Sequence, residues 1–188
     1  MYGTINGADG KPYKTRSGGT PRFEELVALS FDKARERLKD IALDEKLSPD
    51  AFEETARQIG LAAIKFGDLI NHRRSDYVFD LDRFVAFEGK TGPYIQYTAV
   101  RLNALLQKAA EQKAMTGAFR IEVGQHYLAL LLLQFGDSVT DAAAQYAPNI
   151  LCDYLFRLAQ SVNRYYQTVP VLSEADPVKR GAALALLT

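Results

Sequence analysis

Pro49, Pro93 and Pro148 each stand just ahead of apolar residues that recur every three or four positions. Proline suits the first turn of a helix, because its φ is already helical and its missing N–H has no partner to lose there. Phe52, Ala56, Ile59, Ala63, Phe66 and Ile70 follow the first of these prolines on one face. Leu151, Tyr154, Leu155, Leu158, Val162 and Tyr165 follow the third. An upstream stripe, Phe23, Leu26, Val27, Phe31, Ala34 and Leu38, has the same period. These stripes predict helices over 23–41, 49–71, 93–115, 121–146 with a break at Gly136, 148–168 and 176–188. The chain therefore reads as an all-α bundle of about five or six helices with short connections. Residues 77–87 alternate imperfectly and fit an extended segment as well as a short helix. The last segment opens on an Asp-Pro cap and stops in AALALLT without a closing signal, the expectation for a chain cut short.

Residues 1–20 differ from the rest. They hold five of the thirteen glycines and show no helical period, which reads as an irregular or hairpin segment. Asp9–Gly10 fits a hairpin turn. Lys11, Lys14 and Arg16 follow, then Ser17, Gly18 and Gly19. Cations beside glycine-exposed amides can hold phosphate groups, and a solvated tail has the same composition. The expected division is thus 1–20 and a helical domain over 21–188.

Residues 87–101, FEGKTGPYIQYTAVR, carry the most chemistry. At about 100° per residue, Tyr94, Tyr97, Arg101 and Lys108 share one stripe, and Ile95, Ala99, Leu102, Leu106 and Ala109 form its apolar neighbour. Phenol rings beside cations suit single-stranded nucleic acid, since bases stack on aromatics and phosphates seek Lys or Arg. The competing reading makes both tyrosines packing residues, with the cations at a solvated edge.

Composition excludes several classes. Lys+Arg and Asp+Glu both number 23, so nucleic-acid binding must rest on a local patch. Cys152 is the only cysteine, so no internal disulfide forms; its apolar helical setting makes it a small core residue. His72 and His126 lie in different elements without companions at ligand spacing, which argues against a metal site. The apolar run Leu128–Leu133 is too short to span a bilayer, and the first residues lack the pattern of a signal peptide. A cytoplasmic protein without a membrane partner is expected. GKT at residues 89–91 lacks the upstream glycine of a phosphate-binding loop. No Ser-His-Asp or Cys-His set stands out, so the chain does not read as a complete enzyme.

Three stretches in order resemble one family. DGKPYKTRSGGT at residues 9–20 is similar to a KMSKS-type loop. Residues 59–101 contain DYVFD, FEG and PYIQY elements, and LFRLAQSVNRYYQTVPVL spans residues 155–172. Together they resemble the C-terminal part of the bacterial-type, class I arginyl-tRNA synthetases. The resemblance implies the end of a catalytic domain followed by the helical anticodon-binding domain. It implies as parent activity an arginine-tRNA ligase, joining L-arginine to its tRNA at the expense of ATP with Mg. It also implies arginine tRNA as partner, through the anticodon arm, with no DNA partner. Lys14 matches the second lysine of the loop that stabilises the ATP phosphates and takes the catalytic role, with Lys11 and Arg16 beside it. Tyr94, Tyr97 and Arg101 match positions set against the anticodon arm, with Lys90 in the preceding loop and Tyr165 or Tyr166 nearby.

The departures bear on activity. The half of the catalytic domain with the HIGH signature is missing, as are the N-terminal tRNA-contacting domain and the last helix. Lys90 stands where many members have asparagine. This segment alone is therefore expected to bind no cofactor and to make no arginyl-adenylate. The alternative is a helical protein–protein interaction module whose tyrosine stripe packs on a partner protein.

Overall fold

The computed structural model describes residues 2–7, 9–12, 22–114, 117 and 125–188. Among them run α1 (Phe23–Asp40), α2 (Pro49–Leu69), α3 (Leu81–Phe84), α4 (Gly92–Glu111), α5 (His126–Leu133), α6 (Phe135–Ala144), α7 (Pro148–Thr168) and α8 (Pro177–Leu187). A single turn of 3-10 helix, Val171–Ser173, precedes α8. The strands are β1 (Ile5–Asn6) and β2 (Tyr77–Val78). Among the described residues, no helix is long and apolar enough to cross a membrane.

The proline-led starts form as the sequence predicts. Ser48 Oγ accepts the Ala51 N–H, and Asp176 Oδ1 accepts the Val178 N–H. In α4 the cap is Thr91, whose hydroxyl accepts the Tyr94 N–H and donates to the Ala86 carbonyl. The ends are less legible. Ala42, Lys113 and Tyr146 take positive φ of 53°, 53° and 49°. The next residues then reach back five positions: Leu43 N–H to Leu38 O, Ala114 to Ala109 and Ala147 to Ala142. This is the closure usually made with glycine, and it ends α4 at Glu111 rather than 115. The break expected at Gly136 falls at Gln134 instead, between α5 and α6. There the Tyr154 hydroxyl and the Gln134 N–H both bond the Leu131 carbonyl, the acceptor a continuing helix would have given to Phe135.

Packing runs from α1 onto α2, from α2 onto α3 and α4, and from α4 onto α7, which α5 and α6 cover on another side. Ala34, Leu38, Phe52, Ala56 and Ile59 fill the α1–α2 contact, and Arg35 ties the pair at its edge through Glu53. Leu105, Ala109, Leu128, Val162, Tyr165 and Leu184 join α4, α5, α7 and α8. The buried line of α4 is Thr98, Leu105 and Ala109, whereas Ala99, placed on the apolar stripe by periodicity, is exposed. Gly92 explains how α4 comes so close to α2: a Cβ there would overlap the Ala62 carbonyl.

Residues 77–87 resolve as strand and then helix. Asp80 caps α3, and Phe84 meets Phe79 edge-on at 5.2 Å. The turn at Asp9–Gly10 brings Pro12 opposite Asn6. A long-range pairing is added that the sequence does not announce: β1 runs parallel to β2, Ile5 opposite Tyr77. Asp76 Oδ1 accepts the Thr4 N–H at 2.7 Å, and the Gly3 N–H reaches the Arg73 carbonyl. Arg73 in turn donates from Nη1 to the Gln145 and Tyr146 carbonyls at the end of α6. Residue 73 thus ties the segment leading into β1 to the turn after α6.

Gly92→Ala should lower unfolding stability by about 1–3 kcal/mol in a urea titration, because neither backbone can move aside. The Thr4 N–H holds the Asp76 carboxyl below its ordinary value. A depressed carboxylate stabilises above its unfolded pKa and loses that contribution as pH falls through the folded one. The Thr4 amide proton shift should therefore titrate, by NMR, with a midpoint below the ordinary Asp value of about 3.9.

Candidate nucleic-acid interface

Tyr94, Tyr97 and Arg101 lie one turn apart along α4, and α7 supplies what holds them. Asn163 is only 8% exposed, and its amide oxygen accepts from Arg101 Nη1 at 3.0 Å. Its amide nitrogen donates to Tyr94 OH at 3.1 Å and to Thr98 Oγ1 at 2.8 Å. A buried amide used on both sides is a costly group fully satisfied, and it leaves little freedom in three neighbours.

The Arg101 guanidinium is flanked by rings. It lies 4.7 Å from the Tyr97 ring centre and 5.0 Å from that of Tyr166, and Nη2 donates to the Tyr97 hydroxyl at 2.7 Å. No carboxylate pairs with it among the described residues. Arginine has five N–H donors, and two are engaged in these bonds, so the others remain for acceptors outside. Tyr97 is 45% exposed, Tyr166 is also exposed, and Tyr94 is half-buried against Phe156. A groove of about 580 Å³ runs between Ile41, Phe87, Tyr94, Tyr97, Arg101 and Gln167.

Other expected site residues take different settings. The Lys90 ammonium is 2.7 Å from Asp153 Oδ1 and lies over the Phe156 ring at 5.6 Å, so its charge is largely offset. Tyr165 is 6% exposed inside the core and accepts the Gln125 Nε2 hydrogen at 3.1 Å. Of the NRYY pair, Tyr166 alone reaches the surface beside Arg101; Tyr165 follows the core stripe of α7 and is withdrawn from solvent. Lys11 is exposed, its N–H held by Asp9 Oδ1. Lys14 and Arg16 lie outside the described residues. Cys152 is buried, and loss of hydration, helped by Asp153, pushes its thiol up to about 11. No group of three or more His, Cys, Asp or Glu gathers to hold a metal among the described residues.

Sequence reasoning missed Asn163 and Asp153. Each sits one position off the apolar stripe of α7, which is the signal available: a polar residue beside a core line, of a type that disfavours helix interiors.

Fold and site together define a helical bundle that presents an aromatic and cationic face built across two helices. Comparison with known proteins then gives the family. Residues 95–188 match the DALR anticodon binding domain, and residues 1–81 match the catalytic domain of class I (R) tRNA synthetases. The chain belongs to the DALR anticodon-binding domain family. It is 46% identical over 186 residues to the arginine–tRNA ligase of Maricaulis maris and 42% identical to that of Hyphomonas neptunium, covering 98% of this chain each time. It spans only 32% of the length of either relative. Arginyl-tRNA synthetase from Thermus thermophilus superposes with a TM-score of 0.83 at 30% identity, over 99% of this chain and 31% of that one. The Plasmodium falciparum arginyl-tRNA synthetase shares the fold, with a TM-score of 0.73 at 20% identity over 88% of this chain and 30% of that one.

Asn163→Ala should cost about 1–3 kcal/mol in chemical denaturation, since it removes three hydrogen bonds from a largely buried site at once. Iodoacetamide should label Cys152 slowly in the native protein near pH 8 and readily once urea unfolds it, as expected for a buried thiol held protonated.

Proposed function

We propose that this chain is the anticodon-recognising part of an arginine–tRNA ligase, and that it engages the anticodon arm of arginine tRNA across α4 and α7. The observation that carries the reading is the Arg101 guanidinium, set beside the Tyr97 and Tyr166 rings without a neutralising carboxylate among the described residues. A planar cation beside exposed rings offers stacking faces to unstacked bases and N–H donors to their edges or to phosphate. Tyr94 lines the same groove. Lys90 contributes to RNA binding only if Asp153 releases it. Family membership and the arginine–tRNA ligase relatives support the tRNA assignment.

In the whole enzyme, which acts in the cytoplasm, L-arginine and ATP would be the further substrates and DNA would not be a ligand. ATP, bound with magnesium, would supply the activated phosphate for joining arginine to tRNA. Lys14 is the residue assigned to those phosphates, with Lys11 and Arg16 adding positive charge beside it; the exposed side chain of Lys11 fits that setting. A positioned cation there lowers the cost of charge developing on the phosphates. The 188-residue chain alone is inactive in this reading.

The test is a titration of the chain against the anticodon stem-loop of arginine tRNA and an anticodon-swapped version, at two salt concentrations. Tighter binding to the native loop is expected, weakening steeply with salt. Tyr97→Ala and Arg101→Ala should each cost about 1–3 kcal/mol. Equal affinity for both loops would refute anticodon recognition, and a salt-insensitive complex with a protein would favour an apolar docking module. Arginine-dependent ATP–pyrophosphate exchange by the purified chain would contradict its assigned inactivity.

A further inference from the structure

A second groove, of about 480 Å³, is also lined by Tyr94. Arg157, Gln160 and Arg164 line it from α7, and Tyr127 lines it from α5. Residues 157, 160 and 164 are spaced three and four apart, so they share one exposed face, and the two arginines stand about 10 Å apart along the axis. No acidic side chain lines the groove. Neither arginine makes an ion pair or a side-chain hydrogen bond among the described residues, whereas Lys33, Arg35, Arg37 and Lys90 are all paired with carboxylates. In a chain with no net charge, two uncompensated guanidinium groups facing one cleft make a local positive surface. Tyr127 is exposed beside them and offers a ring.

Tyr94, Asn163 and Gln167 line both grooves. The two therefore adjoin along α7.

We infer that the Arg157–Arg164 groove is a binding site for the sugar-phosphate backbone of the RNA strand leaving the Tyr97–Arg101 groove. The inference rests on the proposed RNA binding and extends it to a surface assigned there no role. The chemistry divides between the two grooves. In the first, rings and a fixed guanidinium face bases and can discriminate among them. In the second, Arg157 and Arg164 face acceptors that every nucleotide carries, so this groove adds affinity without choosing sequence. Gln160 can donate to a phosphate or a ribose hydroxyl from the same face.

The test compares Arg157→Gln/Arg164→Gln with the parent chain on the native and the anticodon-swapped stem-loops, over a salt series. Lys65→Gln/Lys179→Gln, which removes the same charge from residues lining neither groove, serves as the control. All four positions are exposed, and circular dichroism establishes that each variant is folded. The groove variant should bind both RNAs roughly ten- to a hundredfold more weakly, by the same factor for each, with a log–log salt slope shallower by about 1.4. The control should change neither by a comparable amount. Unchanged affinity and slope in the groove variant would overturn the inference while leaving anticodon recognition through Tyr97 and Arg101 intact. A loss confined to the native loop would also overturn it, because the groove would then read bases. No RNA binding by the parent chain would remove both this inference and the function on which it rests.

Discussion

Asn163 lies where α7 passes α4, and its side-chain amide makes three hydrogen bonds there, to Arg101, Tyr94 and Thr98. Thr98 also donates to the Tyr94 carbonyl, so the tyrosine is gripped at its backbone and at its hydroxyl. Through Arg101 the grip passes to Tyr97 and to the Tyr166 ring. A guanidinium in water samples many rotamers; this one is held at both ends of its fork before any ligand arrives. Preorganisation of this kind removes part of the ordering cost of binding. The aromatic–cation face therefore depends on a buried amide whose hydrogen bonds go to protein groups of α4.

The amide works only because α4 is seated first. Thr91 closes its N-terminus against the Ala86 carbonyl, and Gly92 lets the backbone come against Ala62 of α2. Gly89, with φ of 79°, turns the chain into that seat from the FEG loop. The stretch 87–93 is thus less a ligand loop than a mount that sets the start of α4. Lys90 belongs to the same mount: its ion pair with Asp153 links the loop to the beginning of α7, and both partners are about half exposed. An exposed pair of this kind contributes little to stability. Its effect is on charge, which it subtracts from one end of the face and leaves to Arg101.

The distribution of paired and unpaired cations follows the architecture. On α1, Lys33 meets Glu36 and Asp82, and Arg35 meets Asp32 and Glu53, so the positive charge there is offset by carboxylates of α1 itself and of its neighbours. On the outward face of α7, Arg157 and Arg164 have no such partners among the described residues. A chain with equal numbers of acidic and basic residues can still present one positive surface, provided its acids are concentrated elsewhere.

The starts of α1 and of the proline-led helices, the all-α class and the residues of the aromatic stripe were legible in the sequence, because proline, caps and apolar period are local signals. Helix ends at Ala42, Lys113 and Tyr146 were not, since their left-handed closures use residues that carry no such signal. The split of the NRYY pair was half legible: the period of α7 put Tyr165 on the core line, but only packing could show Tyr166 beside Arg101. Likewise the β1–β2 pairing, the Lys90–Asp153 pair and the role of Asn163 join residues more than sixty positions apart. What the sequence determined by itself was where the proline-led helices begin and which chemistry they carry, because those follow from interactions within about one turn. Which tyrosine meets solvent, which cation keeps its charge and which amide orders the site were decided by tertiary structure, because each depends on what another helix brings within hydrogen-bonding distance.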